Sequence, residues 1–166
     1  MIEKQPDAAP FHDWNERIAA ECYIPNTISR VLDRDRRIDS VVNNFEHISF
    51  NVGPTLAAWL ARHEPAAYAR MLAADRESAG RLGGHGNAMA QAYSHAILPL
   101  ASPEDKRLQV AMGIEDFRAR FGRTPEGMWL PETAVNDETL CALVEAGIRY
   151  TILAPHQGAR VRQIGS

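Results

Sequence analysis

The chain has 166 residues, a net charge of −3, and 45% hydrophobic against 23% charged residues, enough for one soluble domain with a real core. This balance gives no reason to expect nucleic acid or an anionic membrane as a partner. No window reaches the roughly 18 apolar residues of a membrane span, and the polar start, Met1 to Pro10, lacks the apolar region of a signal peptide.

Residues 1–10 read as a disordered or linker tail. Asp13 and Glu16, three apart, form an acidic variant of a capping box ahead of Ile18 and Cys22, in a helix that stops near Pro25. Asn26 or Thr27 then caps a short helix carrying Ile28, Val31 and Leu32. Asp33-Arg34-Asp35-Arg36-Arg37 is a solvated turn. His47 to Val52 alternates and reads as a strand. Gly53-Pro54 breaks it and opens a helix with Leu56, Trp59 and Leu60. Pro65 opens another, with Tyr68, Met71 and Leu72 on one face. Gly80, Gly83, Gly84 and Gly86 punctuate a loop around His85, and a candidate strand lies near 96–100.

Ser102-Pro103-Glu104-Asp105 combines a hydroxyl cap, a proline at the first helical position and acids in the first turn. Leu108, Ala111, Ile114, Phe117 and Phe121 recur at helical spacing as a stripe expected to be buried, and Gly122 ends the helix. A strand follows at 127–130. Asn136 caps a helix whose Leu140, Leu143 and Val144 face inward, and Gly147 closes it. Residues 148–155 are the last strand. Cys22 and Cys141 read as reduced, buried thiols of a cytoplasmic protein, and no cysteine spacing suggests structural zinc.

Strands alternating with helices predict parallel pairing through right-handed crossovers. There is no internal repeat and no evident linker between two domains. About four strands make a modest sheet, whereas a closed β/α barrel takes roughly 250 residues. The fold expectation is therefore α/β, with 11–166 forming part of a larger parallel barrel.

Such proteins place their sites just past the C-terminal ends of strands. Residues 51–54, 85–95, 129–132 and Pro155-His156-Gln157 qualify. Glu132, after Met128-Trp129-Leu130-Pro131, is either an ordinary acid at a helix start or a catalytic carboxylate. Trp129 is either core or a flat platform for a sugar. His85 and His95, ten apart, fit no zinc spacing, although His12-Asp13 supplies a further imidazole and carboxylate. The glycines around His85 bring backbone close to a ligand or simply turn the chain. A nucleophilic-serine elbow is missing, and Gly83-Gly84-His85-Gly86 lacks the lysine and spacing of a phosphate loop.

Five segments, "FHDWNERIAAECYIPN", "ISFNVGPTLAAWL", "GHGNAMAQAYSHAILPL", "DFRARFGRTPEGMWLPETA" and "GIRYTILAPHQ", together resemble glycoside hydrolase family 57. The likeness is greatest to bacterial family-57-like proteins with an additional C-terminal domain, and it covers nearly the whole chain. It implies an incomplete (β/α)7-type parallel barrel of the glycoside hydrolase/deacetylase kind, lacking its first and later strands. It also implies retaining chemistry on an α-glucan or oligosaccharide. On that resemblance Glu132 is the nucleophile, Trp129 lines a sugar subsite, and His95, His85 and Asn51 lie on the substrate side, with no metal or other cofactor. Three departures stand out: no histidine-motif strand precedes Pro10, no aspartate follows Asp137 to serve as general acid, and Asn87 stands where better-known branches usually carry glutamate. The chain is expected to carry the nucleophile half of a site, to be inactive alone, and to self-associate through unpaired sheet edges. Two alternatives stay open. One is a metal-dependent deacetylase-like hydrolase using His12, Asp13, His85 and His95. The other is a non-catalytic carbohydrate-binding fragment.

Overall fold

The computed structural model describes residues 3–158 and Arg160. The chain divides into two compact units, one running to Ala88 and the other starting at Met89. No helix among the described residues is long and apolar enough to cross a membrane.

The first unit opens differently from expectation. Pro6–Ala8 forms a 3-10 helix and Ala8 is fully buried, so part of the expected tail is packed. Asp13 caps helix α1 (Trp14–Ile18), its carboxylate accepting the N–H groups of Asn15 and Glu16. The helical run passes through Pro25 and ends at Thr27, close to the expected stop. A π-helical turn, Ala19–Tyr23, leads into α2 (Ile24–Thr27); widening the ladder there accommodates a proline that cannot donate.

Residues expected as a helix after Thr27 instead form strand β1 (Ser29–Leu32), antiparallel to β2 (Ile38–Val42). The charged run between them is indeed a turn. The Asp33 carboxylate accepts the N–H groups of Asp35 and Arg37 at 2.8 and 2.9 Å, giving the chain a local alternative to a helix. The β-branched residues around that turn then favour a hairpin.

In place of the strand expected at 47–52, the described residues show an isolated parallel bridge from Phe50 to Ala88, because the chain turns into Gly53-Pro54 almost at once. Helices α3 (Pro54–His63) and α4 (Pro65–Arg81) begin at the prolines as expected. They pack Leu60, Met71 and Ala74 with Phe45 and Phe50 into the core, where each large apolar side chain contributes about 1.5–3 kcal/mol. Buried Asp75 and Ser78 on α4 hold the 87–88 backbone. The Asp75 carboxylate accepts the Ala88 N–H at 2.8 Å, and the Ser78 hydroxyl accepts that of Asn87 at 3.0 Å.

The second unit is a βαβαβ run. Strands β3 (Ala90–Gln91), β4 (Gly127–Trp129) and β5 (Tyr150–Thr151) form a parallel sheet with β4 in the centre. Helix α5 (Pro103–Phe121) connects the first two strands and α6 (Asp137–Glu145) the last two. The first strand lies earlier than the candidate at 96–100. Residues 88–92 are buried throughout, as in a strand covered on both faces, whereas Pro99 sits in a 3-10 helix, Leu98–Leu100, with no N–H to offer a ladder.

Ser102 and Asn136 cap α5 and α6, and Gly122 ends α5 at φ 70°. The buried face of α5 differs from the expected stripe: Lys106, Val110, Gly113, Ile114 and Phe117 are inside, while Leu108 and Ala111 are exposed. Close approach sets that rotation. A Cβ at Gly113 would stand 2.0 Å from the Gln91 carbonyl oxygen, so only glycine lets the helix lie on β3. In α6 Leu143 is buried, but Leu140 and Val144 are exposed. Cys141 is likewise exposed and Cys22 half-buried; neither is the core thiol expected.

Candidate active site

In the second unit, the chain leaves each parallel strand into a short loop bearing polar side chains. After β4, Leu130 and Pro131 are buried and anchor the turn. The next two residues take left-handed backbone, Glu132 at φ 55° and Thr133 at φ 54°. The turn is closed by the N–H groups of Thr133 and Ala134, which donate to the Leu130 and Pro131 carbonyls at 2.9 and 3.0 Å. Glu132 lies in a single 3-10 turn, Pro131–Thr133, with non-helical backbone, and not at the start of α6, which begins at Asp137 with its own Asn136 cap.

The loop after β3 carries His95, also left-handed at φ 54°. Gln109 on α5 steadies that loop. Its backbone carbonyl accepts the Tyr93 N–H at 3.2 Å, and its side-chain oxygen accepts the Ser94 N–H at 2.8 Å. The two loops bring His95 Nε2 to 3.5 Å from Glu132 Oε1, with the side chains 58% and 75% exposed. Left-handed backbone costs a non-glycine residue about 1–2 kcal/mol. Three such residues at one strand-end site mark backbone held in place by its surroundings, a pattern that concentrates where function needs it. Trp129 on β4 is half-buried, in register with Gln91.

In the first unit, Asn51 is half-buried and directly follows the bridging residue Phe50. His85 is exposed in the turn leading into the Ala88 bridge, ahead of it rather than after it. The neighbouring glycines turn the chain: Gly83 and Gly84 have φ of 65° and 99°, with open space where a Cβ would stand. A separate cleft of about 900 Å³ is lined by His12, Asp13, Asn15, Thr55, Trp59 and His63, among others. The rings of Trp59 and His63 are stacked at 4.7 Å between centroids. The bonded His12 imidazole, followed by the Glu16 N–H, holds the Asp13 carboxyl below its usual range. Among the described residues no three His, Cys, Asp or Glu side chains gather as a metal set.

Sequence reading did not foresee Gln109 as the support for the His95 loop, or the strained Thr133. Neither carries a local signal, since Gln109 is one polar residue on a mostly polar helix and Thr133 is ordinary in a turn.

The family model for glycosyl hydrolase family 57 matches residues 14–157. Alpha-amylase 1 of Dictyoglomus thermophilum is 27% identical over 99 residues, which are 59% of this chain and 13% of that protein. An exo-type maltose-forming amylase from Pyrococcus sp. ST04 superposes with TM-score 0.59 at 16% identity, over 86% of this chain and 21% of its own. A 4-alpha-glucanotransferase from Thermococcus litoralis superposes with TM-score 0.50 at 25% identity, over 66% of this chain and 17% of its own. The chain thus spans a small part of each relative.

Proposed function

Because the chain belongs to glycosyl hydrolase family 57, we propose that it carries the nucleophile half of the site of a retaining α-glucan hydrolase or transglycosidase, with Glu132 as nucleophile. One observation carries this reading. Glu132 is an open carboxylate past the C-terminal end of the central strand, on left-handed backbone, with an imidazole 3.5 Å away. The names of the similar proteins, two amylases and a glucanotransferase, favour an α-glucan as substrate. On this reading the sheet is part of a (β/α)7-type barrel.

A retaining enzyme needs two carboxyl groups about 5–5.5 Å apart. One Glu132 oxygen attacks the anomeric carbon, the bond to the leaving sugar oxygen breaks, and a glycosyl ester forms. A second carboxyl protonates the leaving oxygen, then takes a proton from water in hydrolysis or from a sugar hydroxyl in transfer. That proton donor is assigned to sequence outside this chain, which covers 13% of the amylase. His95, whose Nε2 stands 3.5 Å from Glu132 Oε1, is assigned to orient the carboxylate toward the sugar. Trp129, half-buried at the end of β4, is assigned as the flat wall for a pyranose face. The family resemblance alone supports Asn51 and His85, both in the first unit, as further substrate-side residues.

The test is maltoheptaose binding by the chain, together with turnover by a version extended through the proton-donor strand. Glu132→Gln is expected to abolish turnover and retain binding. Trp129→Ala is expected to weaken binding by about fivefold or more, the equivalent of ~1 kcal/mol of stacking. Full turnover by the extended Glu132→Gln variant would overturn the assignment.

A further inference from the structure

The loop after β5 reaches back onto the nucleophile turn. Gln157 closes a 3-10 turn, Pro155–Gln157, and its side-chain amide is used at both ends. Oε1 accepts the Ala154 N–H at 2.7 Å, and Nε2 donates to the Thr133 carbonyl at 2.9 Å. Only one orientation of the amide satisfies both contacts, because an N–H needs an acceptor and a carbonyl needs a donor. The same two strands are tied lower down, where the Thr151 hydroxyl donates to the Met128 carbonyl at 2.9 Å.

We propose that Gln157 is a positioning residue for the nucleophile, clamping the Thr133 carbonyl so that Glu132 keeps its left-handed backbone and its place beside His95. This rests on the reading of Glu132 as nucleophile. The geometry favours it for three reasons. The clamp lands on the residue next to Glu132, inside the two-residue left-handed stretch. It comes from the loop after an adjacent strand of the sheet, so it sets the spacing between two strand-end loops. Thr133 also has a donor of its own already engaged, its N–H on the Leu130 carbonyl, so Gln157 restrains the residue from its other side.

The test uses the full chain, with Gln157→Glu and Gln157→Ala. Glutamate has nearly the same shape and keeps the acceptor for Ala154, but it sets an oxygen against the Thr133 carbonyl. Backbone chemical shifts from nuclear magnetic resonance report whether Glu132 and Thr133 stay left-handed. The rate at which a ring-fluorinated α-glucosyl fluoride labels Glu132 reports positioning. In labelling, a carboxylate oxygen bonds to the anomeric carbon as the carbon–fluorine bond breaks and fluoride leaves with the electron pair, so no proton donor is required. Both variants are expected to lose the left-handed shifts and to label about tenfold or more slowly, with maltoheptaose affinity and melting temperature nearly unchanged. Retained left-handed shifts in Gln157→Glu, or labelling at the parent rate, would overturn the proposal. If the parent chain does not label at Glu132, the nucleophile reading fails while the shifts still decide the clamp.

Discussion

His95 Nε2 stands 3.5 Å from Glu132 Oε1, and each residue sits on left-handed backbone in a loop leaving one of two adjacent parallel strands. Neither side chain belongs to the core, so packing does not account for the pairing. His95→Ala is expected to slow labelling of Glu132 by the activated fluoride about a hundredfold, the lower end of the range seen when one preorganised group is removed. Unfolding in urea should be nearly unchanged. Parent-rate labelling in His95→Ala would remove the histidine from the mechanism.

Thr133 is β-branched and left-handed at φ 54°, a costly combination. Relief of about 1–2 kcal/mol of strain, less about 0.5–1 kcal/mol for the extra freedom of glycine in the unfolded chain, leaves a net gain. Thr133→Gly should stabilise the chain by roughly 0.5–1 kcal/mol in urea titration while slowing labelling, because the turn loosens. Stabilisation and faster labelling together would contradict the view that strain holds the nucleophile in place.

Lys106 is buried on α5 and bonds Glu138, at the start of α6, at 2.5 Å. That hydrogen bond and the ammonium charge hold the Glu138 carboxyl below its usual range. A carboxyl whose folded-state pKa is depressed adds stability above its unfolded value and loses it as pH falls through the folded one. The chain should therefore lose stability as pH drops below the ordinary glutamate value of 4.5, and Lys106→Met should flatten that loss. Equal slopes between about pH 5 and 3 for the two proteins would show that the pair contributes nothing. Screening is strong on the exposed Glu138 side, so the effect is expected to be small.

The hairpin leaves Val31, Leu32, Ile38 and Val41 at 42–58% exposure on a sheet of only two strands. Apolar, short of partners and open at its edges, such a ribbon favours association. Light scattering on the isolated chain should show mass rising with concentration, and Ile38→Lys with Val41→Lys should return it toward monomer. A monomer at every concentration would contradict this.

Features with local causes are legible in the sequence. Ser102-Pro103 and Asn136 start helices because a hydroxyl or amide can serve free N–H groups. Gly122 ends one because it takes left-handed backbone without a Cβ. Glu132 stands out because a buried Leu-Pro pair must be followed by a turn outward. The remainder depends on distant partners. Strand β3 is built of alanine and glutamine with no β-branched residue, and only burial on both sides makes it a strand. The inward face of α5 follows from Gly113 touching the Gln91 carbonyl, which no periodicity encodes. Gln157 meets Thr133 across 24 positions of sequence. The β1–β2 hairpin is hidden because Asn26-Thr27 reads as a helix cap ahead of Ile28, Val31 and Leu32, and the cross-strand partners that decide otherwise lie beyond the turn.

The most direct test is peptide mass spectrometry after treating the chain with a ring-fluorinated α-glucosyl fluoride. A single glycosyl adduct on the peptide spanning Trp129 to Thr133, absent in Glu132→Gln, is the predicted result. An adduct on another carboxylate, or one that persists in Glu132→Gln, would contradict the assignment of the nucleophile.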